Sequence, residues 1–156
     1  MRKLINILWL EDALHSGSHS KRVKIVENHL RKKGYDSNFI FKATFNEAKC
    51  SLEENERIDF FISDFNLEQE RTGLSYLDEV RKLKGYKQFV ILYSKKSNSS
   101  LKEDVSSYFN LPTTSNFVFA NFTFFSVGNR LVKQNFEEAI DVILSRWDEL
   151  KRRIYV

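Results

Sequence analysis

Short apolar runs alternate along this chain with longer amphipathic stretches. Each apolar run has the length of one buried strand, and each stretch between runs has apolar residues at helical spacing. This alternation is typical of βα units that join into a parallel sheet. No internal repeat, low-complexity tract or linker interrupts it, so we predict a single domain over residues 1–156.

Five strands and five helices are predicted from this pattern. The strands are Leu4–Leu10, Ser37–Lys42, Ile58–Ser63, Phe89–Tyr93 and Asn116–Phe122. The helices are Ser20–Lys33, one capped by Thr44, one from Thr72 to Gly85, one capped by Ser100 that ends before Pro112, and one from about Phe136 capped by Asn135. The elements predict an α/β fold, a doubly wound five-stranded parallel sheet with helices on both faces.

The last predicted helix has a clear apolar stripe. Its members are Phe136, Ile140, Ile143, Trp147, Leu150 and Ile154. Such a stripe is the core-facing side of an amphipathic helix. An adjoining face could serve a homodimer, and the sequence leaves that alternative open.

The composition excludes several classes of protein. Hydrophobic residues make up 42% of the chain and there is one proline, which favours a packed fold over disorder. The single cysteine, Cys50, excludes an internal disulfide framework and suits a reducing compartment. No apolar stretch is long enough to cross a bilayer, and Glu11 and Asp12 come too early for a signal peptide. We therefore expect a cytoplasmic protein without membrane insertion.

The basic residues form two clusters on predicted helices. The net charge is +4, and the clusters lie at residues 21–33 and 146–153, with acidic residues interleaved. No nucleic-acid recognition motif accompanies them. Solvated helix faces are therefore favoured over nucleic-acid binding.

Acidic residues follow two of the predicted strands. Glu11 and Asp12 follow the first strand, and Asp64 follows the third. Parallel strands place their carboxyl ends along one edge, so three carboxylates would converge there and repel one another. Mg²⁺ relieves such repulsion and binds oxygen ligands together with phosphate. The pattern favours Mg²⁺-assisted phosphoryl chemistry, although each acidic residue taken alone could be an ordinary turn or cap residue.

The residues around these carboxylates resemble the receiver domain of two-component response regulators. Residues 8–12, Leu-Trp-Leu-Glu-Asp, resemble the first strand of the family with its acidic pair. Residues 58–67, Ile-Asp-Phe-Phe-Ile-Ser-Asp-Phe-Asn-Leu, resemble the third strand with its phosphorylated aspartate, and residues 72–74, Thr-Gly-Leu, resemble the start of the third helix. The resemblance extends from Leu4 to the last helix and implies a flavodoxin-like, receiver-like fold.

The resemblance also implies a role for individual residues. Asp64 would accept a phosphoryl group and become an acyl phosphate. Glu11, Asp12, Asp64 and the backbone carbonyl of Asn66 would hold Mg²⁺. Ser94, at the end of the fourth strand, would be the switch hydroxyl that binds a phosphoryl oxygen.

The function implied is that of a regulatory module rather than an enzyme. A histidine kinase or phosphotransfer protein would donate the phosphoryl group, and a downstream protein, which the sequence does not identify, would respond to the conformational change. Aspartyl phosphohydrolases also place an aspartate after a central strand, but they need a second carboxylate two residues later as general acid. Asn66 occupies that position, so we do not expect hydrolase activity.

The sequence departs from the family pattern at several positions. Ala120 stands where the family has a lysine that pairs with the phosphoryl group, and Phe117 stands at the aromatic switch position. Gly73 lies one residue further from Asp64 than is usual. Lys95 and Lys96 directly follow Ser94 and are the nearest cations that could replace the missing lysine, with Lys95 the first candidate. The departures leave open an alternative function, a degenerate receiver that binds a partner without phosphorylation.

Three further residues, two histidines and a cysteine, are of types that can bind a metal or act as a nucleophile. His15 and His19 have the spacing of two metal ligands on a helix, but they lie in a Ser/Gly-containing segment without a second ligand pair. We expect both to be solvent-exposed. Cys50 has no histidine nearby in the sequence, and we expect it to have a packing role.

Overall fold

The strands and helices of the chain form one layered α/β structure. The computed structural model describes residues 3–12, 14–54, 57–64, 89–94, 98–109, 117–119, 122–126 and 132–145. The strands are β1 (Lys3–Leu10), β2 (Tyr35–Lys42), β3 (Phe60–Asp64), β4 (Phe89–Ser94), β5 (Phe117–Phe119) and β6 (Phe122–Ser126). The helices are α1 (Gly17–Lys32), α2 (Phe45–Glu53), α3 (Asn98–Phe109) and α4 (Val132–Ser145).

The described strands form one sheet in the order β2-β1-β3-β4-β6-β5. The pairs β1–β2, β1–β3, β3–β4 and β4–β6 are parallel, and β5 runs antiparallel to β6 at the edge. The strand order reverses at β1, which lies between β2 and β3. In sheets of this kind, binding sites form beyond the carboxyl ends of the strands where the order reverses.

Alternate residues of the central strands point to opposite faces of the sheet. On one face, the buried residues of β1, β3 and β4 pack with α1 and α4 in a single core; they include Ile5, Ile7, Trp9, Phe60, Ile62, Ile91, Tyr93, Val26, Leu30, Phe136, Ile140 and Ile143. On the other face, Leu8 and Leu10 are fully buried, and α2 contacts β1. Helices on both faces of the sheet are therefore confirmed, as is the core role of the described part of the α4 stripe.

Several element boundaries differ from prediction for identifiable reasons. α1 begins at Gly17 rather than Ser20, because the Ser16 hydroxyl caps it by accepting a hydrogen bond from the His19 amide at 3.1 Å. β3 begins at Phe60 rather than Ile58, because the buried Asp59 carboxylate accepts a hydrogen bond from the Asn6 amide at 2.8 Å.

Two predicted helix caps are wrong, and one is confirmed. Ser100 lies inside α3, which begins at Asn98, and Asn135 lies inside α4, which begins at Val132. Thr44 does cap α2, because its hydroxyl accepts a hydrogen bond from the Glu47 amide at 3.3 Å. Capping residues are also common in the first turn of a helix, so the sequence pattern alone placed two starts too late.

The predicted fifth strand, Asn116–Phe122, is wrong as a single element. The structure has two short strands there, β5 and β6, and β6 is the one that pairs with β4. The prediction of a five-stranded, entirely parallel sheet is corrected accordingly: the described part of the chain forms a mixed sheet of six strands. The predicted helix from Thr72 to Gly85 lies outside the described residues, as do the last three members of the α4 stripe.

Candidate functional site

Three carboxylates meet at the carboxyl edge of the sheet. One oxygen from each of Glu11, Asp12 and Asp64 lies within 4.8 Å of the others. β1 and β3 place them there, because Leu10 is in register with Ser63 and the next residue of each strand is acidic. The residue after β1 is also held by β2, because the Glu11 amide donates a hydrogen bond to the carbonyl of Lys42, the last residue of β2, at 3.0 Å.

Glu11 and Asp64 lie on the same face of the sheet as α1. Glu11 continues the alternation of Ile7 and Trp9 along β1, and Asp64 continues that of Phe60 and Ile62 along β3. Glu11 is buried, with 3% of its surface exposed, whereas Asp12 and Asp64 are half-buried. A buried glutamate therefore lies beside two partly exposed aspartates at the rim of the sheet, and this group of three carboxylates is called the acidic pocket below.

Burial and the neighbouring carboxylates destabilise the ionised form of Glu11. Burial raises the pKa of Glu11 to about 8, and the neighbouring Asp64 and Asp12 carboxylates add to this effect, while Arg22 opposes it. The Glu11 Oε2 atom has no hydrogen-bond partner among the described residues. Two ionised carboxylates have no proton to share, so Glu11 and Asp64 can hydrogen-bond only when one of them is protonated.

Arg22 brings a positive charge to the same pocket from α1. Its guanidinium Nη1 lies 3.6 Å from Glu11 Oε1, and its Cζ lies 5.2 Å from the centre of the Tyr93 ring. Both arrangements stabilise a guanidinium that is removed from water. The sequence showed Arg22 only as one of several basic residues in the first helix. Its helical spacing from the buried Val26 is the signal that could have identified it as inward-facing.

Trp9 and Tyr93 form the floor beneath the carboxylates. The Trp9 indole Nε1 donates a hydrogen bond to the Tyr93 hydroxyl at 2.9 Å, and both side chains are almost fully buried. Tyr93 is in register with Asp64 across β3 and β4. Burial raises the pKa of Tyr93 well above its ordinary value, and the Glu11 and Asp64 charges add to this, so the ring stays neutral.

Ser94 ends β4 and is fully buried. It lies one residue beyond Tyr93, the register partner of Asp64. The predicted switch hydroxyl is therefore at the same edge of the sheet as the carboxylates. Asn66, Lys95 and Ala120 lie outside the described residues.

The donor set fits a small, hard divalent cation. Carboxylate oxygens are the preferred ligands of Mg²⁺, whose octahedral bonds of about 2.1 Å place ligand oxygens roughly 3–4 Å apart. A modest inward movement of the three side chains would bring their oxygens to that separation. A cation would also give the buried Glu11 Oε2 atom a partner.

Two sequence expectations outside the pocket are corrected. His15 is exposed as expected, but His19 is buried in α1, where its ring lies edge-on to Trp9 at 5.4 Å and to Phe41 at 5.2 Å. Burial, with a smaller effect from the Arg22 charge, lowers the pKa of His19. Cys50 is exposed rather than packed, because it lies on the outer side of α2.

A basic groove lies between α1 and α4, away from the carboxylates. Its volume is about 540 Å³, and its lining includes Lys21, Lys24, Arg31, Lys32 and Lys133. All five cations are exposed, as expected for solvated helix faces. The groove therefore gathers much of the first basic cluster onto one surface without adding a reactive group to the acidic pocket.

None of the described helices combines the length and the apolar character needed to span a bilayer. No protein-family model matches the sequence, and no curated protein matches it. Similarity is found instead with solved structures.

Several of the solved structures similar to this chain are response-regulator receiver proteins or receiver domains. The chemotaxis response regulator CheY4 of Vibrio cholerae is 17% identical, with a TM-score of 0.56 over 89% of this chain and 98% of that one. The Mn²⁺-bound response regulator Rcp1 is 21% identical, with a TM-score of 0.58 over 92% and 94% of the two chains. The signal receiver domain of an HD domain-containing protein from Pseudomonas fluorescens Pf-5 is 15% identical, with a TM-score of 0.59 over 96% and 99%. The chain therefore has the fold of response-regulator receiver domains.

Proposed function

We propose that this chain is a signalling receiver module that accepts a phosphoryl group on Asp64 with the help of Mg²⁺. The observation that carries the proposal is the convergence of Glu11, Asp12 and Asp64 at the reversal point of a receiver-like sheet. The buried Glu11 carboxylate has an unpartnered oxygen there, which favours a cation site over a chance grouping of surface acids.

Each residue has a distinct task in this proposal. Glu11 and Asp12 hold the cation, together with Asp64. The cation, when bound, neutralises charge on the carboxylates and on the incoming phosphoryl group. Asp64 is the nucleophile, because it is half-buried at the rim and accessible to a donor. Ser94 donates a hydrogen bond to a phosphoryl oxygen after the transfer.

The transfer step needs no separate base. With acetyl phosphate as donor, an Asp64 carboxylate oxygen attacks phosphorus, and the bond from phosphorus to the acetate oxygen breaks. Acetate leaves with the bonding electron pair, and Asp64 becomes an acyl phosphate. A histidine kinase or phosphotransfer protein would supply the same group from phosphohistidine. The chain is thus a regulatory phosphoacceptor rather than a turnover enzyme.

The proposal is tested by intact mass spectrometry after incubation with MgCl₂ and acetyl phosphate. We expect one phosphoryl adduct on the wild-type protein, loss of the adduct in Asp64→Asn, and loss of the adduct when EDTA replaces MgCl₂. Asp36→Asn is the matched control, because Asp36 is an exposed aspartate on β2. An adduct that persists in Asp64→Asn, or no adduct from acetyl phosphate or phosphoramidate, would refute the proposal.

The alternative is a receiver that binds its partner without phosphorylation. Ala120, in place of the lysine that the resemblance implies, favours this alternative. It predicts little affinity for Mg²⁺ and no acyl phosphate. The incubation with MgCl₂ and acetyl phosphate therefore distinguishes the two functions, and it does not require the partner to be known.

A further inference from the structure

Arg22 is a buried cation in the wall of the acidic pocket. Only 8% of its surface is exposed, whereas Lys21 and Lys24 on the same helix are exposed. Removal of a guanidinium from water is costly unless charged or aromatic partners compensate for it. Here the partners are the Glu11 carboxyl group, whose Oε1 lies 3.6 Å from the guanidinium, and the Tyr93 ring at 5.2 Å.

Arg22, which pairs with Glu11, lies on the same side of the sheet as Asp64. α1 covers the face of the sheet on which Glu11 and Asp64 lie. The Tyr93 ring beneath the guanidinium belongs to the residue in register with Asp64, and neighbouring strands are about 4.8 Å apart. A long arginine side chain can therefore exchange one anionic partner for the other with a small rotation.

We propose that Arg22 is the resident cation of this pocket, pairing with Glu11 when no divalent ion is bound and with the phosphoryl oxygens when Asp64 is phosphorylated. The inference rests on the proposed function. A divalent ion on Glu11 weakens the attraction between Glu11 and Arg22. The new phosphoryl group then offers more charge and a geometry that suits a guanidinium. Arg22 forms hydrogen bonds in this step and no covalent bond.

The proposal predicts effects of opposite sign on two ligands. Arg22→Met removes a positive charge close to the cation site, so MgCl₂ should bind about ten-fold more tightly. Beryllofluoride, which mimics the phosphoryl group on aspartate, should bind at least about ten-fold more weakly at saturating MgCl₂, because a charge-assisted hydrogen bond is lost. Both affinities are measured by calorimetry. General damage to the pocket would weaken the binding of both ligands. If Arg22 had no role in the pocket, its substitution would change neither affinity.

Three further variants control the experiment. Arg22→Lys keeps the charge and should leave Mg²⁺ affinity near the wild-type value, while beryllofluoride still binds more weakly because the forked donor is lost. Arg31→Met removes an exposed arginine from the same helix and should change neither affinity. Lys95→Met tests a cation predicted from the sequence: weaker binding of beryllofluoride in this variant, with unchanged affinities in Arg22→Met, would assign the phosphoryl-pairing role to Lys95 and overturn the inference.

A second measurement requires no variant. In the wild-type protein, the NMR resonance of the Arg22 Nε–H group should shift when beryllofluoride is added to the Mg²⁺-saturated protein. An unchanged resonance would overturn the inference, as would Arg22→Met affinities that move in the same direction or stay constant. If the wild-type protein binds both MgCl₂ and beryllofluoride and either of these two results is found, the role of Arg22 is refuted while the proposed function stands. A wild-type protein that binds neither ligand overturns the proposed function, and this inference with it.

Discussion

The raised pKa of Glu11 predicts that the metal-free protein loses stability as the pH increases. Below pH 4.5, the ordinary value, the carboxyl group is protonated in both the folded and the unfolded chain. Between pH 4.5 and about 8 the unfolded chain releases this proton while the folded chain retains it. The free energy of unfolding therefore falls through this range and stops falling above it.

The size of the loss follows from the same shift. At about 1.4 kcal/mol per pH unit, the full difference would correspond to about 5 kcal/mol. Water at the rim of the sheet, where Asp12 and Asp64 are half-buried, screens these charges. We therefore expect a loss of about 2 kcal/mol. In a chain of this size that corresponds to a decrease in Tm of roughly 4–8 °C.

The variant Glu11→Gln isolates this effect, because glutamine has the shape of glutamate and does not ionise. In EDTA, we expect the free energy of unfolding of the wild type to fall between pH 5 and pH 9 relative to that of Glu11→Gln, because the lowered pKa of His19 affects both proteins equally and cancels in the difference. Urea unfolding followed by circular dichroism measures both. Glu53→Gln, an exposed glutamate on α2, should follow the wild-type curve. Parallel curves for wild type and Glu11→Gln would refute the electrostatic reasoning.

Three further predictions concern the scaffold, each measured by urea unfolding. Trp9→Phe and Tyr93→Phe should each lower the free energy of unfolding by about 1–3 kcal/mol, because each single change leaves one buried polar group unpaired. The double variant should lose less than the sum of the two, and simple additivity would contradict this. Phe136→Ala should lower the free energy of unfolding by about 3–5 kcal/mol, whereas Lys133→Ala, at an exposed position, should lower it by less than about 0.5 kcal/mol. Equal effects would show that Phe136 is not a core residue. Gly34→Ala should cost about 1–2 kcal/mol because Gly34 has φ of +92°, and a neutral result would exclude that conformation.

The positions of the acidic residues could be predicted because strand ends are marked in the sequence. The apolar runs before Glu11 and Asp64 are strong signals for buried strands, and parallel topology brings strand ends to one edge. The alternation within each run also fixes the face on which the next residue lies. The meeting of these side chains thus follows from local patterns and one topological rule.

The remaining features depend on contacts that the sequence does not mark. Arg22 is basic like its exposed neighbours, and only packing against Glu11 and Tyr93 distinguishes it. The apolar run from Asn116 to Phe122 has the composition of one strand, but the antiparallel pairing of β5 with β6 divides it. His19 lies in a Ser/Gly-containing segment that is typical of a loop, and the Ser16 cap makes it helical.

If Glu11, Asp12 and Asp64 hold one divalent cation, a crystal soaked in MnCl₂ will show that ion between their carboxylates. Mn²⁺ takes the same oxygen ligands as Mg²⁺ and gives an anomalous signal. We predict an anomalous peak within about 2.3 Å of an oxygen from at least two of the three carboxylates. A crystal whose Mn²⁺ binds elsewhere, or whose carboxylates show no peak at saturating MnCl₂, would show that these three residues do not form a metal site.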